Sequence, residues 1–293
     1  MLRPNDAHVS VLFQEVVDFL APRDGGRYID GTLGAAGHAA GILDASATTG
    51  RLLGLDADPK ALLVAKENLA RFGERATLVH SNFQNLQTVA EQNDFVPADG
   101  IVLDLGLSSM QLADAERGFS FLTDGALDMR FNPDEETTAA ELVNTLTEKE
   151  LADLIFEYGE ERASRRIARA IVHARPIQTA AHLASVIERS MGRRSKMHPA
   201  TQTFQALRIA VNREIDVLEN VLPQAVQVLK PQGRIAIISF HSLEDRIVKN
   251  FFRSSEMLRV LTKHPVRPSD EEVRANSRSR SAKLRVAEKR LNV

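Results

Sequence analysis

The sequence predicts an α/β protein whose largely parallel sheet is wound by helices on both faces and interrupted by a helical insertion. Two observations predict it. Four short apolar runs alternate with helix-patterned stretches over roughly the first 110 residues. A strand-like run then returns at residues 234–239, after about 100 residues of helical periodicity with no strand among them. A strand that late needs a sheet to join, so residues 1–111 and 215–293 read as one core and residues 112–214 as an insertion.

The elements follow in order. Arg27-Tyr28-Ile29-Asp30 is a short apolar strand that runs into a small-residue turn, Gly31 to Gly37, and a helix from His38 onward. Residues 51–55 with Asp56 form a second strand. The next helix opens at Asp58-Pro59, with Asp58 suited to the N-cap and Pro59 to the first helical position, and carries Ala61, Leu62, Val64, Ala65 and Leu69 at helical spacing. Residues 76–80 and 100–105 give the third and fourth strands, and strands alternating with helices imply parallel pairing. Residues 148–158, 161–174, 180–191 and 203–229 all read helical. After Pro231-Gln232-Gly233 comes the late strand, and residues 260–263 and 284–287 are expected to close the sheet as an antiparallel pair. No internal repeat is present, although Ser277-Arg278-Ser279-Arg280-Ser281 is locally biased.

With 293 residues, 43% hydrophobic and 26% charged, the chain can bury a sizeable core. No stretch approaches the roughly 18 apolar residues of a membrane span, and Met1 to Asp6 lacks the layout of a signal peptide, so a cytoplasmic protein is expected. The absence of cysteine excludes disulfides, thiolate metal sites and a cysteine nucleophile within the chain. A formal net charge of -2 hides an asymmetry: residues 1–159 hold 11 basic against 26 acidic side chains, residues 160–214 hold 11 against 4, and residues 259–293 hold 10 against 4. Two basic blocks of this kind can face phosphate, or can be solvated helix faces.

Ligands of such sheets bind at the carboxyl ends of the strands, where Asp30-Gly31-Thr32-Leu33-Gly34-Ala35-Ala36-Gly37-His38 stands at the first of them. Glycines there let backbone approach a ligand and turn sharply into a helix whose amides face it. Asp56, at the end of the second strand and 19 residues beyond Gly37, has the spacing of an acid that accepts hydrogen bonds from a ribose. An adenosine-type ligand is therefore expected. ATP is disfavoured because no GK[ST] follows a glycine-rich loop. A short-chain nicotinamide enzyme would need a tyrosine with a lysine four residues on, whereas Tyr28 and Tyr158 are followed there by Thr32 and Arg162. S-adenosyl-L-methionine fits best, with Phe83 after the third strand placed for an adenine ring. No convincing cluster of metal ligands is seen in the sequence.

These residues carry a resemblance that spans nearly the whole chain. Asp30 to His38, Leu55 to Pro59, Val102 to Ser109 with Gln111, Arg117-Gly118-Phe119-Ser120-Phe121, Leu127-Asp128-Met129-Arg130, Tyr158-Gly159-Glu160-Glu161-Arg162, His198 to Ile209, Ile238 to Arg246 and Ser279 to Arg285 occur in order. Together they resemble the RsmH/MraW family of ribosomal RNA cytidine N4-methyltransferases. The resemblance implies a class I, Rossmann-like, S-adenosylmethionine-dependent methyltransferase with a helical insertion domain. Its implied substrate is a decoding-centre (P-site) cytidine in the 16S rRNA of the small ribosomal subunit. Carried over by position, the cofactor site falls on Ala36, Gly37, His38, Asp56, Phe83, Asp104 and Gln111. The chain departs from the family's pattern at Ala36, where glycine is usual, at Ala35, where the family has glycine or a variable residue, at Phe131 and at Ser277. A positive φ at Ala36 would cost on the order of 1 kcal/mol.

Cytosine N4 is a poor nucleophile because its lone pair is delocalised into the ring, so a catalyst should hold it in line with the sulfonium methyl and accept its N–H bonds. Carbon-5 methylation normally needs a cysteine, which this chain lacks, so a nitrogen or oxygen acceptor is favoured. Amino-directed DNA methyltransferases place an Asp/Asn/Ser-Pro-Pro-aromatic string after the fourth strand; here that position reads Asp104-Leu105-Gly106-Leu107-Ser108-Ser109. Asp104 and Ser108 are thus candidate N–H acceptors or orienters, and His241 a candidate proton acceptor or base-edge contact; a structural histidine is the alternative. In the insertion, Arg162, Arg166, Arg169 and His173 share one helix face opposite Ile167, Ile171 and Val172, which suits a surface that tracks an RNA backbone together with the basic tail. The target base would have to be unstacked or flipped to reach the methyl group. A small-molecule methyltransferase, which the basic blocks and insertion disfavour, and a non-catalytic assembly factor are the competing readings.

Overall fold

Alternation along the strands builds the first of two units. The computed structural model describes residues 10–122, 124–192 and 198–291. Its chain divides into one compact unit that holds the described residues up to 106 and from 216 onward, and a second of residues 107–215. The first unit begins with α1 (Phe13–Leu20), β1 (Arg27–Asp30), α2 (Gly37–Ala45), β2 (Arg51–Asp56), α3 (Pro59–Leu69), β3 (Ala76–His80), α4 (Leu86–Gln92) and β4 (Ala98–Asp104). The second holds α5 (Ser109–Ala113), α6 (Ala139–Thr145), α7 (Glu148–Gly159), α8 (Ser164–His173), α9 (Ala180–Met191) and α10 (Thr201–Asn212). Helix α11 (Glu214–Val228) carries the chain back to β5 (Leu229–Ser239), α12 (Ser242–Ser254), β6 (Leu258–Val260), α13 (Asp270–Ala275) and β7 (Lys283–Lys289).

Successive strand side chains point to opposite faces, and both faces are apolar. Ile29, Leu53, Leu103 and Ile237 pack with α4, α11 and α12 on one side, through Leu86, Val89, Leu222, Val248 and Phe252. Tyr28, Leu52, Val102 and Ala236 pack with α1, α2 and α3 on the other, through Val16, Leu20, Ile42, Leu43 and Leu69. The seven strands run in the order β3-β2-β1-β4-β5-β7-β6. The first five are parallel, whereas β7 is antiparallel to both its neighbours. Strand order reverses at β1, so the crevice between the carboxyl ends of β1 and β4 is the topological switch point of the sheet.

Strand β6 covers Leu258–Val260 rather than residues 260–263, and three further boundaries differ from those the sequence predicts for physical reasons. Residues 203–229 are two helices, because Arg213 adopts φ 50° and ends α10. Neither glycine nor proline marks that break; across it Arg208 holds Glu214 through two parallel bonds, Nε to Oε1 at 2.7 Å and Nη2 to Oε2 at 2.9 Å. The late strand begins at Leu229 and absorbs Pro231-Gln232-Gly233 as an irregularity, with Gln232 at φ 64° and a register shift opposite Ala98 and Gly100. The second unit begins at Leu107 rather than at residue 112, because Leu107 and Leu112 pack against its core of Phe119, Leu127, Ile155, Ile167 and Leu207. Within that unit the Asp128-Met129-Arg130 string closes on itself: Arg130 donates from Nε to Asp128 Oδ1 at 2.8 Å and from Nη2 to Oδ2 at 2.7 Å, while Asn212 Nδ2 donates to Met129 O at 2.7 Å.

The side chains of Arg208 and Glu214 are 12% and 9% exposed, so removing Arg208 takes two charge-assisted bonds out of a largely dry site. Arg208→Ala is therefore expected to lower stability by about 2 kcal/mol, read as a shift of the denaturant midpoint; a loss within about 0.5 kcal/mol would show that the pair does not fasten the break.

Candidate active site

The switch point is lined by three carboxylates, each the last residue of a parallel strand: Asp30 on β1, Asp56 on β2 and Asp104 on β4. Backbone donors from the loop after β1 tie them together. Gly31 N donates to Val102 O at 3.0 Å and Leu33 N to Leu55 O at 2.9 Å, so the loop bridges β4 and β2. Asp30 Oδ1 accepts from Thr32 N at 3.1 Å, and Thr32 Oγ1 accepts from Asp104 N at 2.6 Å. Asp56 Oδ2 accepts from Gly34 N at 2.7 Å and its Oδ1 from Asp58 N at 2.8 Å. The ribose-binding acid expected from spacing thus also anchors the glycine loop, with a lone pair left on each oxygen.

The loop leaves little room for side chains. A Cβ on Gly31 would stand 2.5 Å from Leu103 Cδ2 and 3.3 Å from Phe83 Cβ, and one on Gly37 would stand 2.0 Å from Ser10 Oγ. Ala36 does adopt the left-handed conformation, φ 66° and ψ 27°, and is fully buried at the start of α2. The glycine usual at this position in the family would take up that backbone without strain. His38 follows, buried, with Nε2 2.9 Å from Val11 O and Nδ1 3.8 Å from Asp104 Oδ2. Phe83 opens a 3-10 turn, Phe83–Asn85, after β3 and packs half-buried against the core.

Burial dominates the electrostatics here. It pushes the Asp30 and Asp104 carboxyls up to about 7 and Asp56 up to about 6, and it lowers the His38 imidazole. Asp104 Oδ1 is buried and accepts no hydrogen bond. An unsatisfied buried carboxylate oxygen is costly, and a cationic donor group relieves it. The donor set thus fits S-adenosylmethionine: Asp104 suits its ammonium or sulfonium charge, Asp56 suits ribose hydroxyls, and Phe83 suits adenine.

The remaining predicted residues have local partners. Ser108 is the N-cap of α5 in a reciprocal box, Ser108 Oγ accepting from Gln111 N at 3.1 Å and Gln111 Oε1 accepting from Ser108 N at 2.9 Å. His241 caps α12: its Nδ1 accepts from Glu244 N at 3.4 Å, and its Nε2 lies 3.0 Å from Glu244 Oε1. To accept a proton at Nδ1, His241 would have to release that cap. Two contributors to the first unit's site escaped sequence reasoning. Asp30 was legible as an acid ending a strand before a glycine turn. Arg278, whose charge draws the Asp104 carboxyl downward against the larger effect of burial, is hidden in the serine-arginine alternation of the tail.

The model of the MraW methylase family matches residues 5–290. "Ribosomal RNA small subunit methyltransferase H" of Thermomicrobium roseum is 50% identical over 304 residues, covering 96% of this chain and 93% of that protein. The protein of the same name from Geobacter sulfurreducens is 50% identical over 307 residues, covering 97% and 99%. That of Dehalococcoides mccartyi strain BAV1 is 48% identical over 301 residues, covering 96% and 86%.

A carboxyl whose folded pKa is raised binds protons that the unfolded chain has released, so stability falls as pH climbs from about 4 toward about 7. Asp104→Asn removes this penalty. Its ligand-free melting temperature at pH 8 is expected to exceed that of the parent by several degrees, with little difference at pH 4.5; equal melting temperatures at pH 8 would contradict the buried, unsatisfied state of this group.

Proposed function

The chain belongs to the MraW methylase family, and from that premise we propose that it transfers a methyl group to the exocyclic N4 of a decoding-centre cytidine in 16S rRNA of the small ribosomal subunit, in the cytoplasm. The single observation that carries the chemistry is the half-buried Asp104 carboxylate, whose Oδ1 is buried and unpartnered, at the switch point beside the glycine loop. The curated relatives' names support the substrate class.

S-adenosylmethionine, when bound, supplies an electrophilic methyl group on sulfur. Ala36, Gly37 and His38 would hold it from the loop, with Asp56 on the ribose, Phe83 on the adenine and Asp104 on the cationic end. Gln111 enters this set on the resemblance alone, and so does Ser108 as an orienter of N4. Asp104, when ionised, accepts an N–H bond of the cytosine amino group and so keeps the N4 lone pair available for attack. The methyl group would pass to the N4 lone pair with the S–C electron pair left on sulfur, and Asp104 would take the proton shed by N4 or relay it to water. His241 is assigned a supporting place, fixing the start of α12 beside the end of β5. On the second unit Arg162, Arg165 and Arg166 are exposed while Ile167, Ala168 and Ile171 are buried, which suits phosphate contact along this face.

Incubation of labelled cofactor with small subunits that lack the modification is expected to yield N4-methylcytidine, identified by mass, with naked 16S rRNA as the comparison substrate; label in another nucleoside, or in none, would overturn the assignment. Because Asp104 must be ionised to accept from N4, kcat/KM for the cofactor should rise with pH to a plateau above about 7. Asp104→Asn should lose on the order of 100-fold or more in kcat and flatten the profile, and near-normal turnover in that variant would remove Asp104 from the mechanism.

A further inference from the structure

A cationic feature of the first unit lies away from the carboxylates of the switch point. A cavity of about 430 Å³ opens between the C-terminal half of α12 and the edge of the sheet at β6 and β7. Its apolar lining includes the buried ring of Phe252 and the exposed side chain of Val260, and Lys249, Arg253, Lys263 and Arg285 bring four cations to it. Lys249 and Arg253 lie one helical turn apart on α12.

The acids nearby are already engaged. Asp245 accepts from Arg285 Nε at 2.6 Å and from Lys283 Nζ at 3.1 Å. Glu288, further along β7, is held by Arg234 at 3.1 Å and Arg259 at 2.6 Å. Among the described residues, Lys249, Arg253 and Lys263 therefore have no hydrogen-bond or ion-pair partner. Three unpaired cations that converge on one concavity repel one another unless an anion lies between them. At 1.5 Å per residue, Lys249 and Arg253 lie roughly 12 and 18 Å along α12 from its cap at His241, which stands at the carboxyl end of β5. That offset suits the backbone of a strand whose target base sits at the switch point, a few nucleotides away.

We propose that this cavity is a phosphodiester-binding site that grips the RNA backbone beside the methylated cytidine, through Lys249, Arg253 and Lys263. It rests on the reading of the chain as an RNA methyltransferase. The three side chains act as point charges, so they add affinity without sequence preference.

The test uses the full chain with Lys249→Gln, Arg253→Gln and Lys263→Gln singly and combined, and Lys249→Arg as the conservative control. Binding to unmodified small subunits is measured between about 50 and 200 mM salt, alongside cofactor affinity and methyl transfer at saturating subunit. Each single substitution should weaken RNA binding roughly fivefold near 150 mM and reduce the salt slope by about 1, the triple variant should lose on the order of 100-fold, and Lys249→Arg should retain the parent's affinity. Cofactor affinity and saturated turnover should not change. Parental affinity and slope in the triple variant would overturn the site while leaving methyl transfer intact. Tighter binding of cytidine 5′-monophosphate or inorganic phosphate than of RNA, lost in the triple variant, would overturn it in favour of a free-anion site. Loss of slope in the triple variant alongside a product other than N4-methylcytidine would uphold the site and reject the function proposed above.

Discussion

Strand β4 and strand β5 pair in parallel, Ile101 against Ile235 and Leu103 against Ile237, although residues 107–215 intervene between them in the chain. The rest of the molecule depends on this pairing. A parallel neighbour demands a crossover connection, and here the crossover has grown into a unit with a core of its own. The apolar side chains of α11, Leu218, Val221, Leu222 and Ala225, complete the crossover by packing beneath β4 and β5. Because β5 is held in place by β4 on one side and β7 on the other, the ends of β4 and β5 are fixed to each other whatever the insertion does. Asp104 and the cap of α12 inherit that rigidity, which is what a site needs if its groups are to be positioned before the ligand arrives.

The switch point places three carboxylates where few donors reach them. Asp30 and Asp56 are partly satisfied by amides of the loop after β1, but Asp104 keeps one oxygen unpartnered, and burial holds all three above the usual carboxylate range. This arrangement opposes folding of the empty protein and favours a bound cation, so the same desolvation that weakens the free state strengthens the bound one. A left-handed alanine in the loop adds to the strain at the same place.

Much of this was legible in the sequence because the relevant signals are local. Alternating apolar runs mark β1 to β4, and Asp58-Pro59 marks the start of α3, whose cap bond from Lys60 N to Asp58 Oδ1 measures 3.0 Å. Asp56, Asp104 and the loop carry spacing that follows from strand length and turn geometry. What escaped was set by contacts distant in sequence or by backbone conformations without a residue-type signature. Arg213 breaks a helix at φ 50° with no glycine to announce it, and a hydrogen bond from Leu12 N to Glu272 Oε1 at 2.8 Å ties the chain's beginning to its tail. Arg278 owes its proximity to Asp104 to the antiparallel addition of β7 beside β5.

Charge counting shows the same limit. The tail from residue 259 holds 10 basic against 4 acidic side chains, yet several of its cations are spent inside the fold. Lys283 and Arg285 neutralise Asp245, Arg259 shares Glu288 with Arg234, and Lys289 Nζ donates to Leu229 O at 2.7 Å. These pairs fasten β7 to its surroundings and are poorly placed to meet a second anion. Net charge along a sequence therefore overstates the surface offered to a polyanion, and what matters is the subset left without partners. In the first unit Lys249 and Arg253 belong to that subset although they lie in a stretch whose formal charge is balanced, 5 basic against 5 acidic over residues 215–258. Folding has sorted the charges: Asp245 of this stretch and Glu288 of β7 are held by paired cations, and Lys249 and Arg253 are left beside an open cavity.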